Sequence, residues 1–103
     1  MSVDYLRILD HALGAMVSVE FASEGPEVTD YAVVLLLAVG NSTETIRVYD
    51  SAHGHNEMHR YTRSEGKQAG TPFHSGTLGE GMRASIEEIE GGYRKMIEGW
   101  ERQ

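Results

Sequence analysis

An uninterrupted apolar run from Tyr31 to Val39 is the feature that most constrains what this chain can fold into. The run includes three valines and is apolar at both alternating sets of positions. That pattern is typical of a central strand covered on both faces, rather than of a short helix. It is also only about half as long as the ~20 residues of a membrane-spanning helix. The sequence therefore predicts a sheet with this segment in its interior.

Periodic segments on both sides of the run predict the neighbouring elements. Residues Val3 to Leu13 have apolar side chains at three- and four-residue spacing, which indicates a short helix that stops at Gly14. Alternating segments from Ala15 to Phe21 and from Thr45 to Asp50 indicate half-buried strands. A further strand is expected from His55 to Thr62, with a short extended piece around residues 73 and 74.

A long C-terminal helix is expected from Thr77 onward. Thr77 and Glu80 match the capping-box spacing, in which both side chains satisfy free amides at a helix start. An apolar stripe at helical spacing follows as far as Trp100, and the Gly91-Gly92 pair predicts a kink, a break or a close approach to the sheet. The predicted fold is a single small α+β domain, residues 1–103. It has an antiparallel meander of about four strands, with an N-terminal helix and a long C-terminal helix packed on the sheet.

The histidines and the charge are concentrated in different parts of the chain. The formal charge is −7, of which −6 falls in residues 1–52. Residues 53–76 carry +1 and hold four of the five histidines. This neutral-to-basic, histidine-rich segment within an acidic chain is the main functional signal in the sequence.

Composition excludes several classes of protein. The absence of cysteine excludes a disulfide scaffold, a cysteine-ligated zinc site and a thiol nucleophile. The negative total argues against coating nucleic acid by bulk charge. The first residues lack a basic segment followed by an apolar one, so no signal peptide is expected. We expect a cytoplasmic protein that does not enter a membrane.

The histidine-rich segment contains the residues needed for acid–base chemistry without a metal. If residues 53–61 are extended, His55, Glu57, His59 and Tyr61 share a face that we expect to be solvated. Histidine transfers protons near neutral pH, and arginine stabilises charge that develops on a phosphate, as RNA cleavage requires. The candidate catalytic residues are His53, His55, His59, His74, Tyr61, Arg63 and Asp50. The candidate substrate-binding residues are Arg47, Arg60 and Lys67.

A metal site is the alternative for the same segment. Suitable nitrogen and oxygen ligands are present at His53, His55, Glu57, His59 and His74. On a straight strand, however, His55 and His59 lie about 13 Å apart, too far to share one ion directly. The preferred interpretation therefore assigns no metal ligands and no cofactor. Asp50 has an alternative role as a turn residue whose carboxylate accepts backbone amides.

The stretch from Arg47 to His53, followed by His55 and His59, resembles the TumE-type toxins of bacterial toxin–antitoxin pairs. In that pattern a strand ends in Arg-aromatic-Asp-Asn, and a dense histidine stretch and a glycine loop follow. The resemblance covers roughly residues 44–76, with Ser51 where asparagine is common. It implies a toxin that acts on RNA and is held by an antitoxin protein.

Two functions from different classes follow from these patterns. The first is a toxin-like ribonuclease in which His53 and His59 act as acid and base. The second is a non-catalytic interaction module whose acidic half binds a basic partner. A homodimer is a further expectation, because an edge strand on so small a sheet needs cover.

Overall fold

The computed structural model describes all residues from Met1 to Gln103 as one antiparallel sheet with a single helix. The strands are β1 (Ser2–Asp10), β2 (Ala15–Glu24), β3 (Glu27–Val39), β4 (Ser42–Asp50), β5 (Asn56–Thr62), β6 (Gly66–Lys67) and β7 (Thr71–His74). The helix is α1 (Leu78–Arg102). The strand order is β1-β2-β3-β4-β5-β6, and β7 also pairs with β5.

The apolar run lies at the centre of the sheet, as predicted. It forms most of β3, which pairs with β2 on one side and β4 on the other. Val33 and Leu35 are completely buried, and the alternate residues Val34 and Leu36 are only half-buried. The strand is therefore central within the sheet but is fully covered on one face only.

The predicted N-terminal helix is wrong. Residues 2–10 form β1, which pairs along most of its length with β2. The apolar spacing combines residues from both faces of the strand: Val3 and Leu9 lie on the helix side, where Leu9 packs against the core, whereas Leu6 is exposed on the other side. Pairing with β2 overrides this local pattern.

The predicted fold class is wrong in its strand count as well as in its first element. Seven strands are present where about four were expected. Besides β1, the strand that was not expected is β6, whose two residues are too short to show a sequence period, whereas β7 lies where a short extended piece was expected around residues 73 and 74. Both pair with β5, on the side away from β4.

The C-terminal helix begins as predicted. Thr77 is its N-cap, its side chain accepts a hydrogen bond from the Glu80 amide, and the Glu80 carboxylate accepts one from the Thr77 amide. Of the three alternatives expected at Gly91-Gly92, the break is absent because α1 is continuous to Arg102, and neither glycine lies against the sheet. The close approach to the sheet occurs instead at Gly81, where a Cβ would lie 1.9 Å from Asn56 Oδ1. No helix is long and apolar enough to cross a membrane.

The two faces of the sheet are different. The helix face contacts α1 and includes Val33 and Tyr49, which are cross-strand partners in the buried core. The open face lies on the other side of the sheet. Cross-strand pairing places one row across five strands on it, made up of Asp4, Glu20, Ala32, Asp50 and Glu57.

Candidate functional site

A tight turn between β4 and β5 sets the position of the candidate site. Gly54 has a φ of +81°, which a residue with a Cβ rarely adopts, and its amide donates to the Ser51 carbonyl at 2.9 Å. The buried Ser51 hydroxyl accepts from the Tyr31 amide at 2.9 Å and donates to Asp30 Oδ1 at 2.7 Å. The turn holds β4 and β5 in the register that places Asp50 opposite Glu57.

Three imidazoles converge on the carboxylate of Glu57. His53 Nδ1 and His59 Nε2 each lie 3.1 Å from Glu57 Oε1, and His55 Nε2 lies 3.0 Å from Glu57 Oε2. The Glu57 side chain is only 11% exposed, whereas those of His53 and His55 are 68% and 52% exposed. The site is thus a buried carboxylate with one buried histidine and two histidines open to solvent.

The ionised form of Glu57 is favoured by its neighbours. The hydrogen bond from His53 lowers the pKa of Glu57 below its ordinary value, and the hydrogen bond from His55 lowers it further. Burial acts in the opposite direction, but the net pKa shift is downward. A charged carboxylate therefore lies at the centre of the cluster.

The hydrogen bonds of His59 leave one ring nitrogen facing only acceptors. Its Nδ1 lies 3.1 Å from the backbone carbonyl of Gln68, and because a carbonyl can only accept, Nδ1 must donate. Its Nε2 faces Glu57 Oε1 at 3.1 Å and Asp50 Oδ2 at 3.9 Å. A neutral imidazole has a single N–H, so a second proton or a cation is needed beside Nε2.

His55 repeats this arrangement. Its Nδ1 lies 3.2 Å from the backbone carbonyl of His53, and its Nε2 faces Glu57 at 3.0 Å. His53 is different, because only Nδ1 has a partner and one N–H satisfies that contact. Two of the three imidazoles therefore present a nitrogen lone pair, or a second proton, to the same carboxylate.

The two carboxylate oxygens of Asp50 have different partners, which correspond to its predicted roles as a turn residue and as a member of the site. Oδ1 accepts from the Ala52 amide at 3.3 Å, as expected of a turn residue. Oδ2 points toward His59 Nε2. One donor atom from each of Asp50, Glu57 and His59 lies within 4.8 Å of the other two.

The segment between β6 and β7 covers the buried part of the site. Its Gln68 carbonyl contacts His59, and a Cβ on Gly70 would lie 2.5 Å from Glu57 Cδ. Only glycine allows the backbone to approach the carboxylate this closely. Gly70 is therefore a positioning residue for Glu57.

Several predicted catalytic residues lie outside the cluster. His74 accepts from the Gly76 amide at 3.0 Å and forms no ion pair with Glu57. Arg63 lies over the Trp100 ring at 5.7 Å, near the end of α1. Tyr61 is half-buried, pairs with Lys67 of β6 and packs at the edge of the core. The structure does not bring these three residues together with the histidines.

The predicted substrate-binding residues also lie elsewhere. Arg47 pairs with the buried Leu35, which places it on the helix face, and its guanidinium lies beside the Tyr49 hydroxyl. Burial raises the pKa of Tyr49 to about 12 even though Arg47 favours its ionised form. Arg60 is the partner of Arg47 and shares its face, and Lys67 is exposed on β6. No arginine or lysine takes part in the ion pairs of the histidine cluster.

Sequence reasoning recognised the members of the cluster but not their geometry. The face of Glu57 and His59 was expected to be solvated, yet these residues are only 8% and 7% exposed. The 13 Å separation expected for His55 and His59 does not keep them apart, because His55 precedes the strand and both rings reach Glu57. Glu57, omitted from the catalytic candidates, is the centre of the cluster. The sequence pattern that could have identified Glu57 is its position between two histidines, His55 and His59, each two residues away.

The electrostatic environment of the site is acidic. The row that ends at Asp50 and Glu57 also contains Asp4 and Glu20 on the first two strands. Burial, together with the negative charge of Asp50, raises the pKa of Tyr31 well above its ordinary value. Such surroundings repel polyanions and attract cations.

These features define the class of protein: an antiparallel sheet backed by one helix, with a histidine–carboxylate cluster on its open face. Residues 1–103 match DUF7718, a domain of unknown function, and the chain belongs to that family. No curated protein and no solved structure matches the chain.

Proposed function

We propose that the chain binds one divalent transition-metal ion between Asp50, Glu57 and His59. The observation that carries this proposal is the hydrogen bonding of His59. Nδ1 must donate to the Gln68 carbonyl, which leaves Nε2 facing two carboxylates that can only accept when ionised. A metal ion satisfies all three groups at once. A backbone carbonyl on the far nitrogen is also the usual outer contact of a metal-binding histidine.

The spacing of the donor atoms suits such an ion. Two ligands that are each about 2.1 Å from a tetrahedral ion are roughly 3.4 Å apart. His59 Nε2 lies 3.1 Å from the Glu57 oxygen and 3.9 Å from the Asp50 oxygen, so the first pair must open and the second must close by only about 0.3 to 0.5 Å. One nitrogen with two carboxylates, and no sulfur, matches the ligand preference of zinc, manganese or iron rather than of copper(I).

The exposed histidines supply the remaining parts of a reaction centre. A metal ion held by three protein ligands lowers the pKa of a bound water and polarises a substrate carbonyl or phosphoryl oxygen. His53 and His55 contact the same carboxylate, and both are open to solvent, where they can take up or release a proton. The reaction class that this arrangement supports best is metal-assisted hydrolysis.

Calorimetric titration with Zn²⁺ and Mn²⁺ after removal of metals by EDTA tests the metal proposal. The wild-type chain is expected to bind one ion, and His59→Gln to bind at least 100-fold more weakly because a first-sphere ligand is lost. His11→Gln is the matched control, since His11 is exposed in the turn after β1 and lies outside the cluster. Absence of binding in the wild type, or equal binding by wild type and His59→Gln, would contradict the proposal.

A second candidate is the metal-independent ribonuclease that the TumE-type resemblance implies, in which an antitoxin controls the activity. His53 favours it, because the ring is anchored on Glu57 through Nδ1 and open to solvent elsewhere, as an acid–base histidine requires. The cluster contains no arginine or lysine and its surroundings are acidic, and both features count against a phosphate substrate.

RNA cleavage measured in EDTA distinguishes the two candidates. The ribonuclease proposal expects cleavage that persists in EDTA and is lost in the His53→Ala, His59→Ala double variant. The metal proposal expects no cleavage in EDTA. Cleavage that survives both EDTA and the double substitution would contradict both.

A further inference from the structure

The open face of the sheet carries an apolar patch next to the acidic row. Cross-strand pairing places Leu6 opposite Ser18, and Ile8 opposite Met16, on the side of the sheet away from α1. Met16 in turn pairs with Leu36 of β3. Leu6 and Ile8 are 59% and 58% exposed, the largest values for large hydrophobic residues after Met1. No segment of the chain packs over this patch, because the only helix lies on the other face.

The acidic row lies directly beside this patch. Asp4 and Glu20 are exposed cross-strand partners, and neither forms an ion pair. They lie two residues along their strands from Leu6 and Ser18. Moving along β1 from Asp4 to Ile8, the surface changes from acidic to apolar over about 13 Å, four strand rises of ~3.3 Å. This surface is therefore acidic at one end and apolar at the other.

The charge pattern disfavours a second copy of the chain stacked over the whole open face. If two open faces stacked with their acidic rows together, carboxylates would oppose carboxylates. If one copy were reversed, the carboxylates would lie against the partner's Ile8 and Met16 and lose their hydration without compensation. Neither arrangement is favourable for a chain whose formal charge is −7.

We propose that this surface docks another protein through a segment that is cationic at one end and apolar at the other. Lysine or arginine side chains would pair with Asp4 and Glu20, and apolar side chains would cover Leu6, Ile8 and Met16. The exposed apolar area supplies affinity, and the acidic row fixes the orientation and speeds association. The proposal does not depend on metal binding, because none of these five residues is a proposed ligand.

Two synthetic helical peptides of 16 residues test the proposal. The first peptide has leucines along one face of its N-terminal or C-terminal half and lysines along the same face of the other half. The second peptide has glutamates in place of the lysines. Fluorescence anisotropy is expected to show that the wild-type chain binds the lysine peptide at least ten-fold more tightly than the glutamate peptide. We expect binding of the lysine peptide to weaken at least ten-fold in the double variant Leu6→Ser, Ile8→Ser. The same loss is expected in a second double variant, Asp4→Asn, Glu20→Gln.

Leu13→Ser, Val39→Ser is the matched control, because these exposed apolar residues lie outside the patch. It is expected to change the affinity less than two-fold, and circular dichroism verifies that every variant is folded. Equal binding of the two peptides, or unchanged binding by both double variants, would overturn the proposal. So would a homodimer in sedimentation experiments that dissociates on substitution of Leu6 and Ile8.

Discussion

Asn56 and Glu57 are neighbours on β5, and their side chains point to opposite faces of the sheet. Asn56 is buried on the helix face, where its Oδ1 accepts from the Tyr31 hydroxyl at 2.7 Å. Its Nδ2 donates to carbonyls of the loop before α1, at 3.1 Å to Gly76 and 3.2 Å to Thr77. The amide oxygen and both amide hydrogens of Asn56 therefore have partners, and the network joins β3, β5 and the start of α1.

The opposite face, around Glu57, is different because hydrogen-bond acceptors outnumber the N–H donors of the neighbouring histidines. A carboxylate, a second carboxylate and two backbone carbonyls surround the rings of His55 and His59. A matched network such as that of Asn56 stabilises a fold, whereas a surplus of acceptors creates affinity for a cation. One face of β5 therefore contributes stability and the other carries the proposed metal site, and two glycines allow each side to be perturbed separately.

Gly81→Ala is expected to have the largest effect, and its effect is on stability. Its Cβ would lie 1.9 Å from Asn56 Oδ1, so the helix or the Asn56 network must shift. Overpacking of this kind costs about 3 kcal/mol of the free energy of unfolding, measured by urea denaturation. Gly91→Ala is the control on the same helix, where no atom lies within 4 Å, and it is expected to stabilise by about 1 kcal/mol. Equal stability of the two variants would refute the role of Gly81.

Gly70→Ala is expected to affect binding rather than stability. The new methyl group would push against Glu57 Cδ and displace the carboxylate from His59. Displacement of one ligand weakens Zn²⁺ binding by roughly 10- to 100-fold, as do changes in outer contacts of metal sites. The urea midpoint without metal is expected to stay near that of the wild type. If the variant lost stability but kept its zinc affinity, the division between the two faces would be wrong.

Thr77→Ala tests the helix side with a smaller perturbation. The substitution removes the N-cap hydroxyl that accepts from the Glu80 amide, but keeps the Thr77 carbonyl that accepts from Asn56. The expected loss is about 1 kcal/mol of unfolding free energy, with no change in metal affinity. Thr43→Ala, at an exposed position of β4, controls for threonine loss in general. Matching losses in both variants would show that the cap contributes nothing.

The pH dependence of the same cap gives the smallest effect. Hydrogen bonds from the Thr77 backbone and side chain lower the pKa of Glu80 below its ordinary value of 4.5. Because the folded pKa is lower than the unfolded one, the stabilisation is present above about pH 4.5 and is lost as the pH falls. Urea unfolding in EDTA is expected to show that wild type and Glu80→Gln differ near neutral pH and converge in acid. A difference that persists at low pH would contradict this linkage.

The elements with a clear period could be predicted from the sequence. The central strand, the strand from residue 15, and the capped start of α1 are all present in the structure. The N-terminal strand could not be predicted, because apolar residues on its two faces together imitate a helical spacing, and only pairing with β2 distinguishes the faces. The members of the histidine cluster were identified, but the burial of Glu57 depends on the segment around Gly70, which has no periodic signal.

The most direct test of the proposed metal centre compares Co²⁺ binding by wild type and by Glu57→Gln. Binding is followed through the visible absorption of Co²⁺. The substitution keeps the shape of the side chain and removes the charge on which three imidazoles converge. A metal site centred on Glu57 gives ligand-field bands that saturate at one ion per chain in the wild type and are absent in folded Glu57→Gln. Bands of equal strength in both proteins, or none in the wild type, would contradict it.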